Sequence, residues 1–214
     1  MDYIVIDDLL SPEKADEIEQ LVQTDKMKWV EYPYGGTPKE FEWVDGIHYD
    51  DKQWAYHIDD NKYKYIVTHI EEQIQKHISG KELSSAKINK SQPPIGIEWS
   101  DNIYGGPHFD STVPGLLTGI YYIHDVDGDT LLYNEVWDED DVEEIGPESL
   151  TLQARISPKK NRLVLFNGHT YHSASVPSSG FRYVININWA DPVIFDFENM
   201  LFEDTATGEK VKIC

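Results

Sequence analysis

The feature that most constrains this chain is a succession of short β-rich runs in its second half. β-branched and aromatic segments at 95–99, 116–124, 130–133, 150–156, 162–166 and 182–189 alternate with clusters of Gly, Pro, Asp, Asn and Ser. Strands of that length and spacing pair into a sandwich or a closed barrel. The Pro-Lys-Lys-Asn turn at 158–161 precedes the buried run Leu163, Val164, Leu165, Phe166, and Asp127, Gly128 and Asp129 read as a tight turn between two strands. An acidic stretch, 135–148, interrupts the pattern and reads as a solvated surface loop.

The first part of the chain has a different rhythm. Residues 3–6 predict a strand, and Ser11 can cap a helix with Pro12 in its first position and Ala15, Ile18, Leu21 and Val22 on one face. The segment 31–54 is rich in aromatics, Gly and Pro and suits hairpins and loops. Asn61 is placed to cap a second helix, with Tyr63, Ile66, Ile70, Ile74, His77 and Ile78 at helical spacing and Gly80 as its end. These readings give a single domain: a helical and loop flank over 1–86, a β core over 87–191 and a C-terminal extension over 192–214.

Composition narrows the chemistry. With 39 acidic and 18 basic residues the formal charge is -21, a field that repels phosphate backbones and anionic lipid, so nucleic acid and membrane are not expected partners. The single cysteine, Cys214, allows no intrachain disulfide and no thiolate cluster, so a metal would need His and carboxylate ligands. No basic leader and no run of about 18 apolar residues occurs, which predicts a cytoplasmic, unanchored protein.

A strand sends residues i and i+2 to one face, so His-x-Asp at a strand end aims an imidazole and a carboxylate at one point. A third imidazole from a distant strand completes a two-His-one-carboxylate triad, which leaves metal positions open for reactants. The chain holds three His-x-Asp pairs, His48/Asp50, His57/Asp59 and His108/Asp110. Only the third precedes an apolar strand (119–123), a Gly128-Asp129-Thr130 turn and a buried strand leading to further histidines. His169 and His172 both qualify as third ligand. Arg182, ten positions beyond His172 across a Ser-Ser-Gly turn, can enter the same cavity, and a buried guanidinium calls for an anionic partner.

In His108-Phe109-Asp110, Gly119-Ile120-Tyr121-Tyr122-Ile123, Gly128-Asp129-Thr130, 162–166 and the His172 to Arg182 spacing, the chain resembles the Fe(II)/2-oxoglutarate-dependent oxygenases, in particular their prolyl 4-hydroxylase-like branch. The resemblance covers roughly 87–191. It implies a mainly β, double-stranded β-helix (jelly-roll) barrel, with Fe(II) held by His108, Asp110 and His172. It further implies 2-oxoglutarate and O2 as co-substrates, ascorbate as an optional accessory, and release of succinate as an unactivated C–H is hydroxylated. Arg182 matches the cation that grips the far carboxylate of 2-oxoglutarate, and Tyr122 the strand tyrosine that hydrogen-bonds it. Alternation puts Asn186 and Asn188 on the same inward face as Arg182, making Asn186 a candidate co-substrate contact. Asn188 stands where related hydroxylases often carry a bulky residue.

The resemblance suggests a peptidyl proline as substrate, and the aromatics of 32–54 with Trp99 and Tyr104 could line a groove for such a peptide. A free amino acid or other small metabolite is the alternative. Two further readings differ in kind. A non-catalytic cupin-like protein would have no use for Arg182 and Tyr122, and a metal hydrolase would need an acid or base beside the metal, for which no candidate stands out.

Overall fold

The computed structural model describes residues 3–24, 27–32, 42–43, 46–48, 53–58, 62–93, 98, 103–138, 149–196, 201–204 and 210–212. The chain forms β1 (Tyr3–Ile6), α1 (Pro12–Thr24), β2 (Val30–Tyr32), β3 (Glu42–Trp43), β4 (Gly46–His48), β5 (Gln53–His57), α2 (Lys64–Ile74) and β6 (Glu82–Ser91). There follow β7 (Ile103–Tyr104), β8 (Leu117–Tyr122), β9 (Thr130–Val136), β10 (Leu152–Ile156), β11 (Arg162–Asn167), β12 (Thr170–Ala174) and β13 (Arg182–Ala190). The C-terminal hairpins are β14 (Val193–Asp196), β15 (Leu201–Asp204) and β16 (Lys210–Lys212).

A seven-stranded sheet in the order β1-β11-β8-β13-β6-β5-β2 faces a three-stranded one in the order β10-β9-β12, and an antiparallel bridge between His108 and His172 widens the second. All pairings within these two sheets are antiparallel. The result is the double-stranded β-helix. Alternation along each strand then sorts the core into two parts. Ile120, Tyr122, Leu132, Ile156, Val164, Phe166 and Val184 meet between the sheets. Tyr121, Ile123, Leu163, Leu165, Ile185, Ile187 and Trp189 point the other way, where α1 and α2 cover them with Ile18, Val22, Ile66, Ile70 and Ile74. Burying each of these aliphatic side chains contributes on the order of 1.5–3 kcal/mol. Gly119 is required at this seam, because a Cβ there would lie 2.8 Å from the Trp189 ring.

The helix over 12–24 begins at Pro12, and the amide of Lys14 donates to Ser11 Oγ at 3.3 Å. The second helix differs from expectation at both ends. It starts at Lys64 with Tyr63 in the capping position and no side-chain cap bond, while Asn61 lies outside the described residues. It stops at Ile74, six residues before Gly80, because the chain tightens into turns in which the amides of His77 and Ile78 both donate to Ile74 O.

The Asp127-Gly128-Asp129 segment is not a hairpin turn. β8 pairs with β11 and β13, whereas β9 pairs with β10 and β12, so 123–129 carries the chain from one sheet to the other. Such crossings are what closes a jelly roll. At 158–161 the expected turn is present, with Asn161 in the left-handed region at φ 63°. Of the acidic stretch, Glu135 and Val136 complete β9, and 139–148 lie outside the described residues, as does the expected strand over 95–99 apart from Glu98.

Candidate metal and co-substrate site

β12 and the segment entering Asp110 are locked together before any side chain is considered. The amide of His108 donates to His172 O at 2.9 Å, that of His172 to His108 O at 2.8 Å, and that of Asp110 to Gly168 O at 3.1 Å. This backbone bridge sets the two imidazoles side by side with ring centroids 4.5 Å apart. Asp110 Oδ1 lies 3.7 Å from His172 Nε2. One ligand atom from each of His108, Asp110 and His172 lies within 4.8 Å of the others, the one such group of His, Cys, Asp or Glu among the described residues.

Hydrogen bonds set the direction of each donor. His108 Nδ1 lies 3.0 Å from Gly106 O and His172 Nδ1 lies 2.9 Å from Thr170 O. A carbonyl only accepts, so each Nδ1 carries a proton, which leaves Nε2 as the nitrogen available to a metal. Asp110 Oδ2 accepts from Thr118 Oγ1 at 2.7 Å and from Asn186 Nδ2 at 3.4 Å, leaving Oδ1 turned to the imidazoles. A metal ligand whose other atoms are fixed by such partners is a preset one.

Crowding by protein on the sides away from the cavity, together with the His172 ring, lowers His108 to about 4 despite the lift from Gly106 O and Asp110. It is therefore neutral at neutral pH, as a metal ligand must be. Burial pushes the Asp110 carboxyl up, but the His172 ring and the Thr118 hydroxyl outweigh it and leave it below its ordinary value. His169 is spent elsewhere. Its Nε2 pairs with Val113 O at 2.9 Å and its ring packs edge-on against Trp137.

His108 and His172 border an open cavity whose wall also includes Arg182, Thr130 and Asn186. Arg182 is buried at 4% exposure. Its Nε donates to Gly128 O at 2.7 Å and its Nη2 to Thr130 Oγ1 at 3.0 Å, and no carboxylate reaches it among the described residues. Burial lowers its affinity for the proton, but a guanidinium stays charged, so the pocket holds a dry cation in want of an anion. Gly128 must lack a side chain, since at φ 99° a Cβ would press on Arg182 Cδ at 3.0 Å.

Tyr122 is fully buried with its hydroxyl donating to Thr130 Oγ1 at 2.7 Å, and Thr130, not Tyr122, forms the cavity wall. Because Thr130 Oγ1 accepts from both Tyr122 and Arg182, its own proton is free for a ligand. Asn186 and Asn188 find partners within the protein: Asn188 Nδ2 donates to Asn186 Oδ1 at 3.2 Å and to Ser85 Oγ at 3.3 Å. Thr118 is not singled out in the sequence, where it is an ordinary strand former, and Thr130 enters there only as the end of the Gly128-Asp129-Thr130 motif, with no role of its own.

The other His-x-Asp pairs are largely beyond reach: Asp50, Asp59 and the side chain of His48 lie outside the described residues, and His57 ends β5 at the surface. Of the expected aromatic groove, Trp54 faces away from the cavity, where it joins Trp29, Phe181 and Tyr183 around the Lys90 ammonium. The rings of Tyr32 and Tyr104, and Trp99, lie outside the described residues. No helix among the described residues is long and apolar enough to cross a membrane.

No protein-family description matches the sequence, and no curated protein does. Solved structures do. The α-ketoglutarate-dependent non-haem epimerase SnoN of nogalamycin biosynthesis superposes with a TM-score of 0.63 at 12% identity, over 89% of this chain and 77% of that one. A prolyl hydroxylase from Trichoplax adhaerens, solved with a hypoxia-inducible-factor peptide, gives 0.52 at 16% over 88% and 83%. HygX from Streptomyces hygroscopicus, solved with nickel, 2-oxoglutarate and hygromycin B, gives 0.55 at 10% over 89% and 83%. The fold is the one these 2-oxoglutarate-dependent enzymes share.

Proposed function

We propose that this chain is an Fe(II)/2-oxoglutarate-dependent oxygenase that hydroxylates an unactivated C–H. The observation that carries the reading is one cavity lined both by the two imidazoles of a preset two-His-one-carboxylate group and by a buried guanidinium with no carboxylate in hydrogen-bond contact among the described residues. A structural metal site accounts for the first feature and not the second. The donor set fits iron(II), since two neutral imidazole nitrogens and one carboxylate oxygen leave half of an octahedron for reactants.

In this reading His108 Nε2, Asp110 Oδ1 and His172 Nε2 hold the metal. Arg182 and the Thr130 hydroxyl take the far carboxylate of 2-oxoglutarate, and Tyr122 acts on that carboxylate by orienting Thr130. Asn186, bound to Asp110 and Asn188, steadies the metal's carboxylate and presents an edge to the cavity. When bound, iron(II), 2-oxoglutarate and O2 supply the chemistry: oxidative decarboxylation to succinate and CO2, coupled to oxidation of the substrate. The protein orients the C–H and excludes water around it, and no side chain is needed as a general base. Ascorbate would serve only to keep the iron reduced. The solved structures named above act on or hold both peptides and small molecules, so a peptidyl proline, as the sequence resemblance suggests, and a small metabolite are the two substrate classes to separate.

Mixing the apo-protein anaerobically with Fe(II) and 2-oxoglutarate should produce the weak visible charge-transfer band of a chelated keto acid. His172→Ala should abolish it, and Arg182→Ala should weaken 2-oxoglutarate binding far more than Fe(II) binding. A wild-type protein without the band at saturating co-substrate, or equal losses of metal and keto acid in Arg182→Ala, would overturn the assignment.

A further inference from the structure

We infer that Lys87, with Gln53 and Asn89, forms an anion subsite for the primary substrate, and that this substrate is a small carboxylic acid of the free amino acid type. The inference rests on the oxygenase reading and names the substrate class of that same site.

Lys87 and Asn89 lie on β6 and Gln53 on the adjoining β5, and all three line the cavity that contains His108 and His172. Register fixes which end of the cavity they occupy. Lys87 pairs with Asn186 and Asn89 with Val184, while Arg182 pairs with Ser91. Asn186 is the residue that reaches Asp110, so Lys87 stands at the metal end. Four strand residues, or roughly 13 Å, separate that level from Arg182. The two cations therefore serve different ligands or opposite ends of a filled pocket.

The three side chains share a second property. Thr118, Asn186 and Asn188 are bonded within the protein, and Arg182 and Thr130, although bonded to Gly128 O and to each other, keep an open side for the co-substrate. Gln53, Lys87 and Asn89 have no side-chain hydrogen bond or ion pair among the described residues, although all are half-buried. The carboxylate that feels Lys87 is Asp110, which is held toward His172 and Thr118, so in a chain with 39 acidic side chains against 18 basic ones this half-buried lysine forms no close ion pair among the described residues. Half-buried donors facing a cavity are satisfied by what enters it.

Charge balance specifies the entrant. An imidazole that ligates a metal is neutral, so with the metal bound the charges of iron(II), the Asp110 carboxylate, 2-oxoglutarate and the Arg182 guanidinium cancel. Among the described residues of the wall Lys87 then carries the uncompensated charge, and a single carboxylate on the substrate neutralises it beside the metal. The amides of Asn89 and Gln53 supply both acceptors and donors next to it, which suits the ammonium or hydroxyl group of an amino or hydroxy acid. An internal peptidyl proline has no negative charge near its ring carbons and would leave Lys87 unpaired.

The test uses the full chain loaded anaerobically with Fe(II) and 2-oxoglutarate, titrated with the free L-amino acids and with their carboxamides, and read as perturbation of the visible band. At least one acid should bind, its amide should bind about tenfold or more weakly, and Lys87→Met should remove that preference while 2-oxoglutarate affinity stays within about twofold. Lys87→Arg should retain it, which separates loss of charge from loss of fold. Equal binding of acid and amide, no binding of any acid, or a Lys87→Met variant that loses 2-oxoglutarate instead would overturn the subsite. A missing band in the wild type would sink the oxygenase reading itself, whereas a normal band without acid preference sinks this inference alone.

Discussion

Thr118 offers the sharpest handle on how the protein prepares its metal ligands. It is fully buried on β8, and its Oγ1 lies 2.7 Å from both Asp110 Oδ2 and Asn188 Oδ1. One hydroxyl has one proton, and a carboxylate is the stronger acceptor, so that proton goes to Asp110. Thr118→Val keeps the shape and removes a hydrogen bond to a charged group, worth about 1.5–3 kcal/mol. The loss should appear mainly in the metal affinity, because Asp110 then swings between orientations that the bound ion must select; outer-shell changes of this kind cost roughly 10–100-fold. Anaerobic titration of the variant with Fe(II) against a competing chelator measures it. Thr118→Ser, which keeps the hydroxyl, should recover most of the affinity. A valine variant that folds and binds Fe(II) within about twofold of wild type would refute the claim that Thr118 holds the carboxylate.

Other consequences follow from single contacts. His169→Gln should leave Fe(II) affinity unchanged in the same titration, because its ring is tied to Val113 O and Trp137; a tenfold loss would move the third ligand from His172. Gly119→Ala should lower stability in denaturant unfolding by about 1–3 kcal/mol, since its Cβ would meet Trp189 at 2.8 Å and Leu165 at 3.3 Å; no loss would mean the core there is loose. Asp7, gripped by Arg162 at 2.6 Å and 3.0 Å and held down to about 2, stabilises the fold above its unfolded value of about 4 and loses that contribution as the pH falls toward 2. The pair is partly exposed and screened, so Asp7→Asn should cost at most about 1 kcal/mol at pH 7, with the gap from wild type narrowing in acid; a gap that widens in acid would reverse the sign of the argument.

What could be read from the sequence follows from which residues carry a period. The strands at 3–6, 117–122, 152–156, 162–167 and 182–190 announce themselves as short β-branched and apolar runs bounded by turn residues, and the two-residue period of a strand puts Arg182, Val184 and Asn186 on one inward face. β6 begins at Glu82, ahead of the expected start of the β core, and hides because one face carries Ser85, Lys87 and Asn89, leaving only Leu83, Ala86 and Ile88 as an apolar signal. The same polarity that makes it unreadable as a strand makes it useful as a wall. Asp127-Gly128-Asp129 reads as a tight turn between two strands because Asp-Gly is a turn signal whichever strand comes next; what β8 and β9 pair with is a tertiary matter. The alignment of His108 with Asp110 is legible from spacing, which leaves His169 and His172 both open as the third ligand; the family resemblance implies His172, and the structure brings that ring to the pair. The orientation of the three is not legible there, since it depends on the carbonyls of Gly106 and Thr170 and on Thr118, groups no motif encodes.

The most direct test is a crystal structure of the protein grown anaerobically with Fe(II) and 2-oxoglutarate, with anomalous data collected at the iron edge. The account predicts a single strong peak ligated by His108 Nε2, Asp110 Oδ1 and His172 Nε2, with one end of the keto acid on the metal and the other on Arg182 and Thr130. An ion ligated by other residues, or a keto acid that leaves Arg182 without an anion, would contradict it.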